Sequence, residues 1–504
     1  MAGQAWRFGL LVAACGCHYQ YYSVSGFSYP GVRPPGLAKA GRSTRRQEQK
    51  TRLNAEVLAE GTAAVDEGRE RGEDNFERWA AQAGIKAPKL RHEVFPDAVV
   101  GDLRGLKAVA ATSPSEQLVT VPAKAAIILT ASESSPFKSW VSPEFWDSQQ
   151  WYVKLALKLL WERQLGSASA VEGYVNVLPA QGSFDTLIHW TDQELDMLNY
   201  STCAASAKRQ RAAWDKLHQN LVARCPEGAG RAVTRDDLVW AMECVLSRAF
   251  GGRFGGGQNS AFLSGGLALA AGAVYATTEE PLWVLLAALA LLPLTLPELG
   301  SLSAAVTGEK SVAGDYVLVP YVDSMNHVTT AKTELSFSPV SGDLRVSVNR
   351  GYLDGEQAYI SYGLKSNDEL LQFYGFVETD CPADTYLVED IAEKLGVSND
   401  RIPAGTDSSI RAALNGVVIR RGREVVGKEA LEGLRLLLQT GKGDGNGQIW
   451  HALRAVCEAE LSTVKRALPN GGSGGSVRER LALAFRREKA SVLEEAIRCL
   501  EQPT

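Results

Sequence analysis

The spacing of apolar residues changes along the chain, and each change marks a predicted element. Short β-like runs come first, for example Gln117–Val121. Helical spacing then takes over in Trp151–Leu165, in Ala207–Val222 and after a capping-box sequence at Thr234–Asp237. The pattern therefore predicts strands followed by a helical insert at about 140–250.

Short strand-like runs resume after Gly314 and are separated by turn signals. They are Tyr316–Val319, Glu334–Ser338, Leu344–Asn349 and Gln357–Ser361. From about Val388 the apolar residues take helical spacing, with one stripe from Trp450 to Val464 and another from Leu481 to Leu500. We therefore predict a mixed α+β fold, in which a β-rich domain with a helical insert precedes an all-α C-terminal domain.

The region 261–299 consists of two charge-free apolar runs separated by Glu279, Glu280 and Pro281. Each run is shorter than the ~20 residues that a bilayer-spanning helix needs. Three interpretations stay open: a membrane-inserted hairpin, an interfacial anchor, or a helical pair packed on the protein. Because so apolar a run exposes a large patch when nothing covers it, membrane contact through this insert is one expectation.

Charge and cysteine usage narrow the class of protein. The net charge of the 504 residues is −5, so no basic field indicates a nucleic-acid partner. The eight cysteines are scattered and form no CxxC pair, which argues against a zinc module and a disulfide framework. We predict no metal site.

The first 47 residues contain no Asp or Glu but carry six Lys and Arg residues. This composition is typical of an organelle-targeting peptide, and the charged segment 48–75 that follows reads as a linker. We expect location in the plastid (chloroplast) stroma or at a plastid membrane. A mitochondrial leader, a secretory leader and a disordered tail are the alternatives.

Two stretches carry the candidate chemistry. The first is Asp323-Ser-Met-Asn-His327, and the second runs from Gly355 to Val377. They supply, in order, D-x-x-N-H, G-E-x5-Y-G and S-N-x-E-L-x3-Y-G-F. This ordered set resembles the SET-domain protein methyltransferases, and within them the subgroup typified by the Rubisco large-subunit lysine methyltransferase of plastids.

The resemblance implies a domain plan and a set of site residues. A SET domain with its pseudoknot would span 76–380, and a helical domain at 381–504 would help to select the protein substrate. Tyr362 would be the catalytic tyrosine and Tyr374 a second aromatic residue of the lysine channel. The residues implied to contact S-adenosylmethionine are Arg248, Asp323, Asn326, His327 and Tyr374. Each could instead be an ordinary structural residue, such as a core tyrosine.

The family's cofactor loop reads E-G-L-G-L, and the corresponding segment here is Asp102-Leu-Arg-Gly-Leu106. The resemblance implies cofactor contact through Asp102, Leu103 and Arg104. Asp replaces Glu and the first glycine is lost, where backbone must approach the ligand closely. Weakened or absent activity is therefore an alternative.

The function implied is S-adenosylmethionine-dependent N-methylation of a lysine in an organellar protein. No metal or covalent intermediate is needed, because a neutral amine attacks the methyl carbon of the sulfonium in line and the thioether leaves. Two alternatives stay open: protein-histidine N-methylation, known in this broad subgroup, and a catalytically inactive SET scaffold held at a membrane.

Overall fold

The computed structural model describes these parts of the chain: 72–137, 139–252, 315–338, 341–403, 405–439, 446–466 and 475–501. The expected leader 1–47, most of the linker 48–75 and the apolar insert 261–299 lie outside them, so the expectations for those segments stay predictions. All of the described residues belong to one compact unit, Glu67–Thr504.

The described strands are short and follow the runs of alternating burial. They are β1 (Leu90–Asp97), β2 (Gly101–Ala108), β3 (Gln117–Pro122), β4 (Ile127–Leu129), β5 (Phe250–Gly252), β6 (Asp315–Leu318), β7 (Asn326–His327), β8 (Thr333–Ser338), β9 (Asp343–Val348), β10 (Gln357–Ile360), β11 (Thr385–Glu389) and β12 (Gly416–Arg420).

The sheets bring the two candidate motifs together. One sheet has the order β1-β2-β10-β7, and the others are β3-β9-β8, β4-β6-β5 and β11-β12. In the first sheet β7 runs parallel to β10, with Asn326 opposite Tyr359 and His327 opposite Ile360. Since β10 also pairs antiparallel with β2, the candidate cofactor segment lies in the same sheet as both motifs.

Helices occupy the insert and the C-terminal part. The described residues begin within α1 (72–83). The others are α2 (Pro143–Asp147), α3 (Trp151–Leu165), α4 (Glu172–Val175), α5 (Asp192–Asp196), α6 (Ser201–Arg224), α7 (Ala229–Ala232), α8 (Arg235–Arg248), α9 (Asn367–Tyr374), α10 (Ile391–Lys394), α11 (Ser408–Asn415), α12 (Lys428–Leu438), α13 (Asn446–Val464) and α14 (Val477–Glu501). Short 3-10 turns lie at Ala123–Ala125, Gly166–Ala168, Leu187–His189, Val322–Ser324 and Asn399–Arg401.

Local sequence explains where the two helices that lead to the site begin. The Thr234 side chain accepts the N–H of Asp237 while the Asp237 carboxylate reaches back, which confirms the predicted capping box of α8. Ser366 and Glu369 form a second capping box at the start of α9. These caps satisfy N–H groups that have no partner within their helices.

The mixed α+β fold and the helical C-terminal part are confirmed. The C-terminal part also contains the two-stranded sheet β11-β12, which the helical prediction did not include. Buried and less buried residues alternate in both strands, for example Tyr386 and Val388 in β11. A strand of five residues is too short for its two-residue alternation to be recognised in a region where long stretches show helical spacing.

Buried apolar residues form two clusters. One lies among the sheets and includes α3 and α8. The other joins the C-terminal helices to segment 187–207 of the helical insert and to Leu371 of α9. The C-terminal helices therefore share their core with the insert. No helix among the described residues is long and apolar enough to cross a membrane.

Candidate active site

A group of aromatic rings marks the junction of β7, β10 and α9. Tyr362 lies two residues beyond the end of β10, and its ring stacks with those of His327 and Tyr374, with 4.9 Å between centroids in each pair. Phe376 lies beside all three rings, 6.0 to 6.5 Å away. Sequence positions 327, 362 and 374 thus meet in one aromatic cluster.

Both polar ends of Tyr362 are held. Its hydroxyl donates to the Met325 carbonyl over 2.8 Å, and its backbone N–H donates to Nδ1 of His327 over 2.9 Å. Burial raises the pKa of the Tyr362 hydroxyl to about 12, and burial also raises the pKa of Tyr374. Both hydroxyls therefore keep their protons near pH 7.

A buried charged group lies next to this cluster. Nη1 of Arg248, at the end of α8, donates to the Asp323 carbonyl over 2.7 Å and lies 3.7 Å from the Asp323 carboxylate. The Tyr174 hydroxyl donates to the same carboxylate over 2.8 Å. Burial outweighs these partners and raises the pKa of Asp323.

Strand β2 contacts the side chain of Asn326 in β7 at Arg104 and Gly105. The Asn326 side-chain amide donates to the Arg104 carbonyl over 3.0 Å. A Cβ on the neighbouring Gly105 would lie 2.7 Å from Nδ2 of Asn326 and 2.5 Å from Nε2 of Gln357. A side chain at this position would therefore have to displace those two amides.

The structure brings most of the predicted site residues together, but not all. Tyr362, Tyr374 and His327 share the aromatic cluster. Arg248 contacts Asp323 and Asn326 contacts Arg104, while the charge of Arg104 interacts with those of Asp323 and Arg248. Segment 102–104 lies within a strand rather than a loop, because β1 and β2 pair in register along their whole length. Asp102 is exposed opposite Pro96, and no hydrogen bond among the described residues ties it to the other candidates.

Four neighbours of the site were not predicted. Tyr174 comes from a four-residue helix with no sequence signal. Phe376 is part of the quoted Y-G-F sequence, which could have indicated it. Thr329 and Glu378 bond each other and face His327, and only the folded chain reveals that contact.

Polar atoms around Asp323 have unmet hydrogen-bonding capacity. Nη2 of Arg104, Nε of Arg248 and Oδ1 of Asp323 are buried and have no hydrogen-bond partner among the described residues. Buried polar groups are seldom left unpaired, so these atoms suit a ligand with both anionic and cationic ends. Among the described residues, no group of three or more His, Cys, Asp or Glu side chains is arranged to hold a metal ion.

No protein-family model matches this chain. It is 24% identical over 303 residues to an actin-histidine N-methyltransferase of Drosophila melanogaster, covering 60% of this chain and 48% of that protein. It is 26% identical over 328 residues to the chloroplastic [fructose-bisphosphate aldolase]-lysine N-methyltransferase of Arabidopsis thaliana, covering 62% of this chain and 53% of that protein. The chain spans about half the length of these curated relatives.

Solved structures resemble the chain over most of its length. The SET domain of LSMT bound to lysine and AdoHcy has a TM-score of 0.54 at 19% identity, covering 86% of this chain and 91% of that chain. Rubisco LSMT bound to AdoMet has a TM-score of 0.53 at 19% identity, covering 86% and 92%. At this identity the likeness shows the fold.

Proposed function

We propose that this chain, which has the SET-domain fold of Rubisco LSMT, is an S-adenosylmethionine-dependent methyltransferase that modifies a lysine side chain of a protein. The observation that carries the proposal is the meeting of β7 and β10. This contact sets Tyr362 beside His327 and Tyr374 and holds its hydroxyl on the Met325 carbonyl. The two motifs, which lie about thirty residues apart in the sequence, thereby form one site.

The residues present fit S-adenosylmethionine, whose sulfonium supplies an activated methyl group. Backbone groups of Asn326 and His327 would hold the adenine, and Gly105 leaves room for the Asn326 side-chain amide against β2. The unmet N–H groups of Arg104 and Arg248 suit the carboxylate, and the unmet oxygen of Asp323 suits the ammonium group. Leu103 of β2 would also contact the cofactor, whereas the side chain of Asp102 is exposed and is a weaker candidate for that contact.

The aromatic site suits an uncharged amine. A lysine with a pKa of about 10.4 must lose its proton, which costs about 4.6 kcal/mol at pH 7. Buried aromatic walls disfavour the ammonium form, so Tyr362, Tyr374 and Phe376 would lower that cost by desolvation. The Tyr362 hydroxyl and the Met325 carbonyl would then align the amine, which is catalysis by positioning.

The test compares methyl transfer by the full chain and by Tyr362→Phe, using labelled S-adenosylmethionine and a plastid protein extract. We expect label on a lysine, and about a 100-fold lower rate in the variant because the amine loses its alignment. Tyr386→Phe is the matched control, since its buried hydroxyl bonds Glu460 instead of the site. Cofactor binding without transfer to any protein would favour the inactive scaffold.

Histidine methylation is the second candidate, and the match to the Drosophila enzyme supports it. Actin and fructose-bisphosphate aldolase are therefore the first purified substrates to try. Mass spectrometry of the labelled peptide separates the two functions, because it places the methyl group on an imidazole or on a lysine amine.

Plastid location is also a proposal, supported by the chloroplastic name of the Arabidopsis relative. Import of the full chain into isolated plastids tests it. Protection from added protease supports the proposal, and exclusion from plastids contradicts it.

A further inference from the structure

Glu378 is a largely buried carboxylate four residues beyond Tyr374, and it faces the imidazole of His327. Its Oε1 accepts the N–H of Thr329 over 2.8 Å, and its Oε2 accepts the Thr329 hydroxyl and lies 3.5 Å from Nε2 of His327. Burial opposes its charge, but the hydrogen bonds from His327 and Thr329 lower the pKa of Glu378 to about 2. The group is therefore a carboxylate at neutral pH.

The two nitrogens of the His327 ring have different partners. Nδ1 accepts the backbone N–H of Tyr362 over 2.9 Å, so this nitrogen carries no proton in that contact. The ring proton then lies on Nε2, which faces Glu378 and lies 3.2 Å from the Thr329 hydroxyl oxygen. The buried imidazole thus connects Glu378 to the backbone of Tyr362.

The backbone of Glu378 is itself fixed by a buried amide. The Asn367 side chain accepts the Glu378 N–H over 2.8 Å and donates to the Glu378 carbonyl over 3.0 Å. Asn367 also donates to Asp384, whose carboxylate bonds the buried Lys489 of α14. With its backbone anchored by Asn367 and its carboxylate bonded to Thr329, Glu378 can orient the ring in front of it.

We propose that Glu378 is a positioning residue of the transfer site, which keeps the His327 proton on Nε2 so that Nδ1 can hold the Tyr362 backbone. The consequence for methyl transfer rests on the proposed function. The donors that converge on Glu378 are the Thr329 N–H, the Thr329 hydroxyl and Nε2–H of His327. Only an ionised carboxylate offers acceptors to all of them, whereas an amide must turn its NH2 toward one side.

The experiment uses the full chain and Glu378→Gln, with histidine labelled with nitrogen-15 for NMR. We expect the His327 resonances, assigned by their loss in His327→Asn, to show the proton on Nε2 in the parent chain and a move toward Nδ1 in the variant. We also expect kcat to fall about 10- to 100-fold, since Tyr362 loses its backbone anchor. Affinity for S-adenosylmethionine should stay within about threefold, because β7 remains paired with β10.

Glu369→Gln is the matched control, because it removes the same charge and weakens a capping box without contact to His327. An unchanged tautomer in Glu378→Gln overturns the proposal, as does a shifted tautomer with unchanged kcat. If Glu378→Gln does not fold, Glu378→Asp takes its place, since the shorter carboxylate cannot reach both Thr329 and Nε2. If the parent chain transfers no methyl group, the proposed function fails, while the tautomer measurement still decides whether Glu378 sets the protonation of His327.

Discussion

At the residue scale, Gly105 leaves the space that the Asn326 side-chain amide occupies beside β2. Because a Cβ there would lie within 2.7 Å of Asn326 Nδ2, Gly105→Ala should push the Asn326 amide away from the Arg104 carbonyl. We expect affinity for S-adenosylmethionine to fall about tenfold, which corresponds to about 1.4 kcal/mol. Isothermal titration calorimetry measures the change directly.

Gly447→Ala is the control for this change, since nothing lies within 4 Å of a Cβ at that position near the start of α13. It should leave the dissociation constant unaltered. Equal affinity in the parent chain and in Gly105→Ala would show that β2 does not shape the cofactor site.

At the scale of elements, strands β5 and β6 lie directly before and after segment 253–314 in the sequence, and both belong to the sheet β4-β6-β5. They pair antiparallel, with Gly252 opposite Asp315. Paired ends of this kind can be joined by a two-residue turn. We therefore expect a chain in which an Asn-Gly turn replaces 253–314 to fold, with a Tm within about 4 °C of the parent.

Thermal unfolding and calorimetry with S-adenosylmethionine check this expectation, and flotation with lipid vesicles addresses the membrane interpretation of 261–299. That interpretation predicts flotation of the parent chain and none of the shortened one. A shortened chain that does not fold would show that the segment stabilises the domain.

At the scale of the whole molecule, Lys489 links the C-terminal helices to the candidate site. Its fully buried ammonium group bonds Asp368 at the start of α9, Asp384 and the Thr385 carbonyl. Lys489→Met would leave the buried Asp384 carboxylate and the partly buried Asp368 carboxylate without this counter-charge. We expect a loss of about 3 to 5 kcal/mol in the free energy of unfolding, measured by urea denaturation.

Lys465→Met provides the comparison, because the Lys465–Glu494 pair is exposed and should contribute at most about 1 kcal/mol. Similar losses in both variants would contradict the role of Lys489 as a buried link. A large loss confined to Lys489→Met would support it.

The features that the sequence predicts best are those set by residues close together in the chain. The Thr234 capping box and the strands β6, β8, β9 and β10 follow from residues a few positions apart, and both are confirmed. The ordered motifs also named Tyr362, Tyr374 and His327, which the fold gathers into one cluster. Segment 102–104 was expected as a loop and lies in a strand, because its pairing with β1 is not visible in its own composition.

The sequence by itself determined the order of the main helices and strands and the residue types of the site, because periodicity, caps and short motifs act over a few residues. Only the tertiary structure decided which distant groups meet. Tyr174 reaches Asp323 across 149 positions, and Glu378 reaches the far side of His327. Such contacts form because buried polar groups must be hydrogen-bonded, and the packing of helices and sheets determines which groups lie close enough to bond.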